Sequence, residues 1–275
     1  MNPVAMIAKL LAVSLLIFLV GCGGGGGGSS SSSSTSNTTT VTTPTTVTTS
    51  TLTFPLATLF DTYLRTNKFL SATIAGTRNS KAVTGNLTDN ILFTTGETAS
   101  LINSTNFVAN TCCFTSFTNL NKIRTIEAVS ITTDGTTIAT SITSDFYLTS
   151  TNTPFVQNDT SNKIQATIAN YSSFPSAVKV GDAGSFYTAS VYDYSAVDGS
   201  ILLCGGQTVA YSIEADTTTS VLLKITYNQS KTNSACVNSL TNTLVRVDSY
   251  RLSQTSLGLI SSTVTTASSA LTIAY

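Results

Sequence analysis

The chain has 275 residues, 13 Lys plus Arg against 13 Asp plus Glu, and only 9% charged residues, against about 25% in ordinary soluble domains. A neutral chain gives no electrostatic footprint for nucleic acid, and none is expected as a partner. Histidine and tryptophan are absent, which excludes Ser-His-Asp and Cys-His hydrolases and nearly all transition-metal sites.

Lys9 and the amino terminus form a weakly positive start, and Leu10 to Val20 an apolar run with one hydroxyl, Ser14. This is the layout of a signal peptide, and the run is too short for a transmembrane helix, which needs roughly 20 apolar residues. The run closes on Leu19-Val20-Gly21-Cys22. These residues resemble the lipobox of bacterial lipoproteins. The resemblance implies that Leu19, Val20 and Gly21 are read by the lipoprotein signal peptidase, that the chain is cut before Cys22, and that Cys22 carries the lipid. Acyl chains on Cys22 would then hold the protein on a membrane, since each buried methylene contributes about 0.8 kcal/mol and two or three chains suffice. Gly23, where an aspartate would signal retention, implies sorting to the outer membrane.

From Gly23 to about Thr53 the chain is Gly, then Ser, then Thr. Such a composition cannot bury enough apolar surface to offset ordering entropy, so a disordered tether is expected over 22–53, spanning roughly 30 Å if flexible. The glycine run is not followed by Gly-Lys-Ser/Thr, so no phosphate loop is read there.

Pro55 to Asn67 spaces Leu56, Leu59, Phe60, Tyr63 and Leu64 at the i, i+3, i+4, i+7, i+8 positions of an amphipathic helix, with Pro55 at its first turn. Beyond it the pattern alternates with period two. Strands are expected at Phe69 to Gly76, Leu87 to Thr94, Arg124 to Thr133, Thr136 to Leu148, Ser185 to Ser195, Ile201 to Leu203, Gln207 to Glu214, Val221 to Asn228, Thr243 to Leu252, Ser256 to Ile260 and Ala270 to Ala274. Asp134-Gly135 and Asp198-Gly199 signal hairpins. The expected fold is all-β, an antiparallel sandwich or half-barrel meander with one short N-terminal helix. The polar stretch Thr149 to Ala177, with Pro154 and Pro175, is the candidate boundary between two halves, 54–150 and 175–275, of the β-rich region 54–275. Asn121 to Glu127 and Asn242 to Asp248 resemble each other about 120 residues apart, consistent with duplication.

Cys112, Cys113, Cys204 and Cys236 remain after Cys22. Export would place them in an oxidising compartment, where disulfides form. Four cysteines allow three connectivities; Cys204 with Cys236 is preferred because both lie in the second half.

Asp182, Asp193 and Asp198, interleaved with Tyr187, Tyr192 and Tyr194, read either as a carbohydrate-binding face or as turn residues and sheet formers. Glu214, Lys224, Arg246 and Asp248 suggest cross-strand ion pairs. Glu127, Asp145, Glu214 and Asp248 could supply the two carboxylates of a glycosidase. The Asp-rich loop spacing of a calcium site is missing, and no metal or cofactor is expected. The leading expectation is a lipid-anchored, non-enzymatic envelope protein with a structural or binding role. The alternatives are a periplasmic lipid carrier or assembly factor, with the helix across the mouth of a half-barrel, and a carboxylate-dependent glycosidase.

Overall fold

A computed structural model describes residues 52–275 except 103–113, 133–135, 150–152, 161–163, 195–200, 234–235 and 237–242, and leaves out the side chains of 114 and 136–139. The lipobox, the tether, Cys112, Cys113, Asp198 and both Asp-Gly turns lie outside the described residues.

The described residues form one helix and twelve strands: α1 (Leu56–Arg65), β1 (Lys68–Arg78), β2 (Lys81–Ile102), β3 (Phe114–Thr132), β4 (Thr136–Leu148), β5 (Pro154–Asp159), β6 (Ile164–Ala169), β7 (Ala183–Asp193), β8 (Leu202–Ala215), β9 (Val221–Lys231), β10 (Thr243–Leu252), β11 (Leu257–Thr266) and β12 (Ser269–Ala274). Each strand pairs antiparallel with the next, and β1 pairs with β12, so the sheet closes into a barrel. The all-β class with one short helix stands; the open sandwich or half-barrel is corrected. Alternation along a strand fixes which residues face together, not whether the first and last strands meet. The seam depends on Gly76. A Cβ there would lie 2.1 Å from the Ala270 carbonyl oxygen, and φ is +155°, so only glycine fits.

Two corrections concern element boundaries. Thr149 to Ala177, read as a boundary, supplies β5 and β6, and strands from both sides of it belong to one closed sheet. Leu202 and Leu203 of the expected Ile201 to Leu203 strand fall on the single strand β8 together with Gln207 to Glu214. In the antiparallel ring β3 and β10 run in opposite directions, so the likeness of Asn121–Glu127 to Asn242–Asp248 is not a rotation about the barrel axis.

The helix closes one end. Leu56, Phe60 and Leu64 are buried, each worth about 1.5–3 kcal/mol on full burial. Phe60 meets Phe174 edge-on at 4.7 Å, Phe174 stacks on Phe186 at 4.2 Å, and Tyr63 meets Tyr250 at 5.8 Å. Phe54 bridges Val178 through paired backbone hydrogen bonds of 2.8 and 2.9 Å, fixing the approach to the helix.

β2 and β3 continue past the barrel as a paired arm, after register shifts between Thr94 and Ala99. The arm folds over the outer face of β4 to β7. Phe117 meets Phe155 at 4.7 Å, and Ile102 packs with Tyr192 and Ile201. Gln165 pins it: its Oε1 accepts from the Ile102 amide at 2.6 Å and its Nε2 donates to the Ser100 carbonyl at 2.9 Å. A side-chain amide here replaces one peptide unit of a neighbouring strand.

Candidate functional site

The two walls of the barrel differ in chemistry. Facing outward on β9 are Leu222, Lys224, Thr226, Asn228 and Ser230, and on β8 Thr208, Ala210, Ser212 and Glu214. A membrane-spanning barrel carries an apolar outer band at this height; hydroxyls, amides and charges suit water instead. Among the described residues no helix is long and apolar enough to cross a membrane.

The inner wall is apolar beneath the helix and polar at mid-barrel. Asp89, Glu127, Asp145, Asp159, Asp193 and Asp248 are all buried, none more than 2% exposed. Arg246, fully buried, is their only buried cationic side chain among the described residues. Gln157, Gln207, Gln229, Thr125, Thr143, Ser141 and Ser262 are buried with them, as are Tyr147, Tyr187, Tyr227 and Tyr250.

On β10 and β11 Arg246 gathers two of the polar groups, while Asp248 Oδ2 has no hydrogen bond among the described residues. Arg246 Nε donates to Asp248 Oδ1 at 2.7 Å and Nη2 donates to Ser262 Oγ at 3.3 Å. Burial works against the guanidinium charge, and Asp248 outweighs it, so Arg246 stays protonated. Burial also pushes the Tyr227 and Tyr250 phenols well above their ordinary range, with the Asp248 charge adding to it.

The β3–β5 side is different. Asp145 lies opposite Gln157 on β5 and opposite Ile123 on β3, while Thr143 lies opposite Thr125 and Asp159. Both Asp145 oxygens, both Gln157 amide atoms, the Thr125 and Thr143 hydroxyls and the Tyr147 hydroxyl make no hydrogen bond among the described residues. Burial, and then the like charge of Asp159, pushes the Asp145 carboxyl well above the usual carboxylate range. The Tyr147 and Tyr187 phenols are raised by burial first and by Asp145 second. Gln207 and Gln229, paired across β8 and β9, are likewise buried without side-chain hydrogen bonds.

Of the carboxylates expected as a catalytic pair, Glu127, Asp145 and Asp248 share the inner wall, whereas Glu214 faces outward and pairs with Lys224 at 2.5 Å. That pair matches the expected cross-strand contact, since Lys224 lies opposite Ser212, two residues from Glu214. Arg246 and Asp248 pair along one strand instead of across two. The supposed carbohydrate face is dispersed. Tyr187 points inward, Tyr192 is buried under the arm, and Asp182 caps a turn by accepting from the Lys179 amide at 2.9 Å. Cys204 and Cys236 are joined as a disulfide with Cα atoms 5.7 Å apart, as preferred from sequence.

Sequence reasoning missed Gln157, Thr143, Thr125, Gln207 and Gln229. The signal available for Thr125, Thr143, Gln207 and Gln229 was parity, since each shares its strand face with a buried apolar residue, Ile123, Tyr147, Val209 and Tyr227 respectively; Gln157 carried no such signal. At the turn end an open hollow of about 480 Å³ is lined by Thr77, Asn79, Ser80 and the 265–270 turn. It presents hydroxyls and backbone and no charge. Among the described residues no three Asp, Glu or Cys side chains form a metal cage. Comparison with protein-family models, curated proteins and solved structures gives no match.

Proposed function

We propose that this is a bacterial outer-membrane lipoprotein, processed before Cys22, anchored through acyl chains on that residue, and carrying its barrel on the Gly/Ser/Thr tether. Its role is non-enzymatic, structural or in binding at the cell envelope. The sequence Leu19-Val20-Gly21-Cys22 at the end of a short apolar run carries the reading. Two features of the barrel support it. The outer faces of β8 and β9, mostly hydroxyl, amide and charged groups, need no lipid around them, so membrane attachment falls to an anchor. The Cys204–Cys236 bridge suits an oxidising compartment.

A lipid carrier needs an apolar cavity, and the carboxylates, amides and phenols at mid-barrel weigh against one, because an acyl chain there would leave them without solvent or partners. Full burial of Asp145 and Asp159 likewise weighs against a glycosidase, whose carboxylates must reach a sugar.

Metabolic labelling with palmitate tests the anchor. Wild-type protein is expected to take up label and partition into detergent, and Cys22→Ser to do neither. Label retained by Cys22→Ser, or an unlabelled wild type, would overturn the reading. Protease shaving of intact cells then reports which side of the outer membrane the barrel occupies.

A further inference from the structure

The seam of the barrel is shorter than the strands that flank it. β12 pairs with β1 only from Thr73 to Arg78, and with β11 only from Ser261 to Thr265. Toward the helix β1 runs on to Lys68 and β11 to Leu257, where their ladders are with β2 and β10. Neighbouring strands stand about 4.7–4.9 Å apart, so where β12 stops, β1 and β11 are two spacings apart, with room for one strand between them. Outside those ladders, Phe69 to Ala72 and Leu257 to Leu259 make no backbone–backbone hydrogen bond among the described residues. Next in line, the Ile260 carbonyl accepts from the Tyr275 amide at 3.0 Å, which marks the floor of the notch.

The notch is a groove and not a hole, because side chains span it from within. Lys68 Nζ lies over the Tyr63 ring, 3.3 Å from its centroid, and Tyr63 meets Tyr250 of β10 edge-on. The outer side is open: Phe69 is 67% exposed, and a Cβ on Gly258 would meet nothing within 4 Å. Two facing strand edges with spare N–H and C=O groups are a template for an added strand. Tyr63 and Lys68 fill the space behind it, which favours small side chains on that strand.

The chain itself supplies such a strand at the mouth of the notch. Gln254 Nε2 donates to the Thr53 carbonyl at 2.6 Å, three residues before β11 begins at Leu257, so the tether meets the barrel beside the notch. Just upstream lies Thr45-Thr46-Val47-Thr48-Thr49-Ser50-Thr51, uncharged and β-branched at every position but Ser50. Such residues favour strands, and Pro44, which cannot donate to a ladder, bounds the run. At about 3.3 Å per residue the seven residues reach about 23 Å, enough to cover Phe69 to Ala72. Ending at the mouth, the segment runs in the sense of β12, antiparallel to both β1 and β11. We propose that Thr45–Thr51 docks in this notch as an added strand between β1 and β11. Its attachment at Thr53 makes docking intramolecular, at an effective concentration of about mM. The docked strand extends the seam to the helix, covers both edges against pairing with other chains, and leaves Gly23 to Pro44 as the free tether. None of this depends on whether Cys22 carries lipid.

The test uses the full chain in detergent micelles, with hydrogen exchange read by mass spectrometry over Phe69–Ala72 and Leu257–Leu259. The double variant Val47→Pro/Thr49→Pro denies the segment two ladder donors, and wild type is expected to exchange at those edges about tenfold more slowly than the variant. Both substitutions lie outside the barrel, so its other strands are expected to exchange alike in the two proteins, which separates lost docking from lost folding. Thr39→Pro/Thr42→Pro, upstream of the segment, is expected to behave as wild type. Equal exchange at the edges in wild type and Val47→Pro/Thr49→Pro would overturn the proposal, whether the edges are protected or open in both. Protection that grows with protein concentration would do the same, since a second copy would then be the occupant.

Discussion

Two arcs of one inner wall are buried alike and differ in whether a cation stands among their carboxylates. On β10 and β11 Arg246 bonds Asp248 Oδ1 and the Ser262 hydroxyl, although Asp248 Oδ2, and Gln229 on the neighbouring β9, have no hydrogen bond among the described residues; on the β3–β5 arc the side chains of Asp145, Gln157, Thr143 and Thr125 have none at all. Burial is complete or nearly so on both sides, so desolvation cannot explain the contrast. Its source is one guanidinium, whose five donors can meet a carboxylate and a hydroxyl together. A sealed polar interior is thus stabilising only where donors and acceptors are matched.

The largest expected effect strikes both arcs. Tyr147 and Tyr187 on or beside the open arc, and Tyr227, Tyr250 and Tyr275 near the closed one, all have phenols raised well above their ordinary value, by burial first. A raised folded value means that stability is complete below the unfolded tyrosine value of about 10 and is lost as pH climbs past it. Each phenol then costs up to about 1.4 kcal/mol per pH unit. Denaturant melts across the alkaline range should show a steep fall beginning near pH 10, with tyrosine ionisation and loss of sheet signal coinciding. Phenols that ionise well before the sheet melts would show that the interior is wet.

Arg246→Met breaks the closed arc alone. It leaves Asp248 buried without its cation, and removing one partner of a buried pair costs about 3–5 kcal/mol. Urea unfolding should show this loss; a change under 1 kcal/mol would mean that solvent already reaches Asp248. Gln165→Ala acts on the outer side of the open arc. It strips two hydrogen bonds from the arm and leaves the Ile102 amide without its acceptor, at a cost of about 1–3 kcal/mol. Hydrogen exchange should locate the effect at Ser100 and Ile102 and spare β9 to β11. Uniform loss around the ring would mean that the arm is integral to the barrel.

How much of this could be read from sequence varies by element. Thr243 to Leu252 and Thr136 to Leu148 match their strands end to end; alternation runs unbroken through most of the first, and Asp134-Gly135 marks the start of the second in the sequence. The helix stripe is buried as expected at Leu56, Phe60 and Leu64. β5 and β6 escaped because Pro154, Asn158 and Gln165 look like loop residues. Pro154 in fact opens β5, a position that needs no ladder donor, and Gln165 is polar because it holds the arm. The site was least legible. Six-residue strands rich in Gln, Asn and Asp mimic an exposed surface, and only closure of the ring turns Asp145, Gln157 and Asp159 inward together. Closure itself rests on a seam between β1 and β12, some 200 residues apart in the chain by the register of Thr73 with Ala274, and local patterning carries no trace of it.

The sharpest use of the comparison is a substitution whose sign should reverse between arcs. Asp145→Asn keeps the side-chain shape, removes a carboxylate that has neither donor nor counter-ion among the described residues, and offers Gln157 an amide with which to exchange hydrogen bonds. Desolvation of the lost carboxylate outweighs what the amide still leaves unmet, since charge is the more expensive group to bury. The expected result at neutral pH is a gain of about 1 kcal/mol, against the several lost with Arg246→Met. If Asp145→Asn is destabilising instead, the carboxylate is already satisfied, the two arcs are equivalent, and the contrast between them fails.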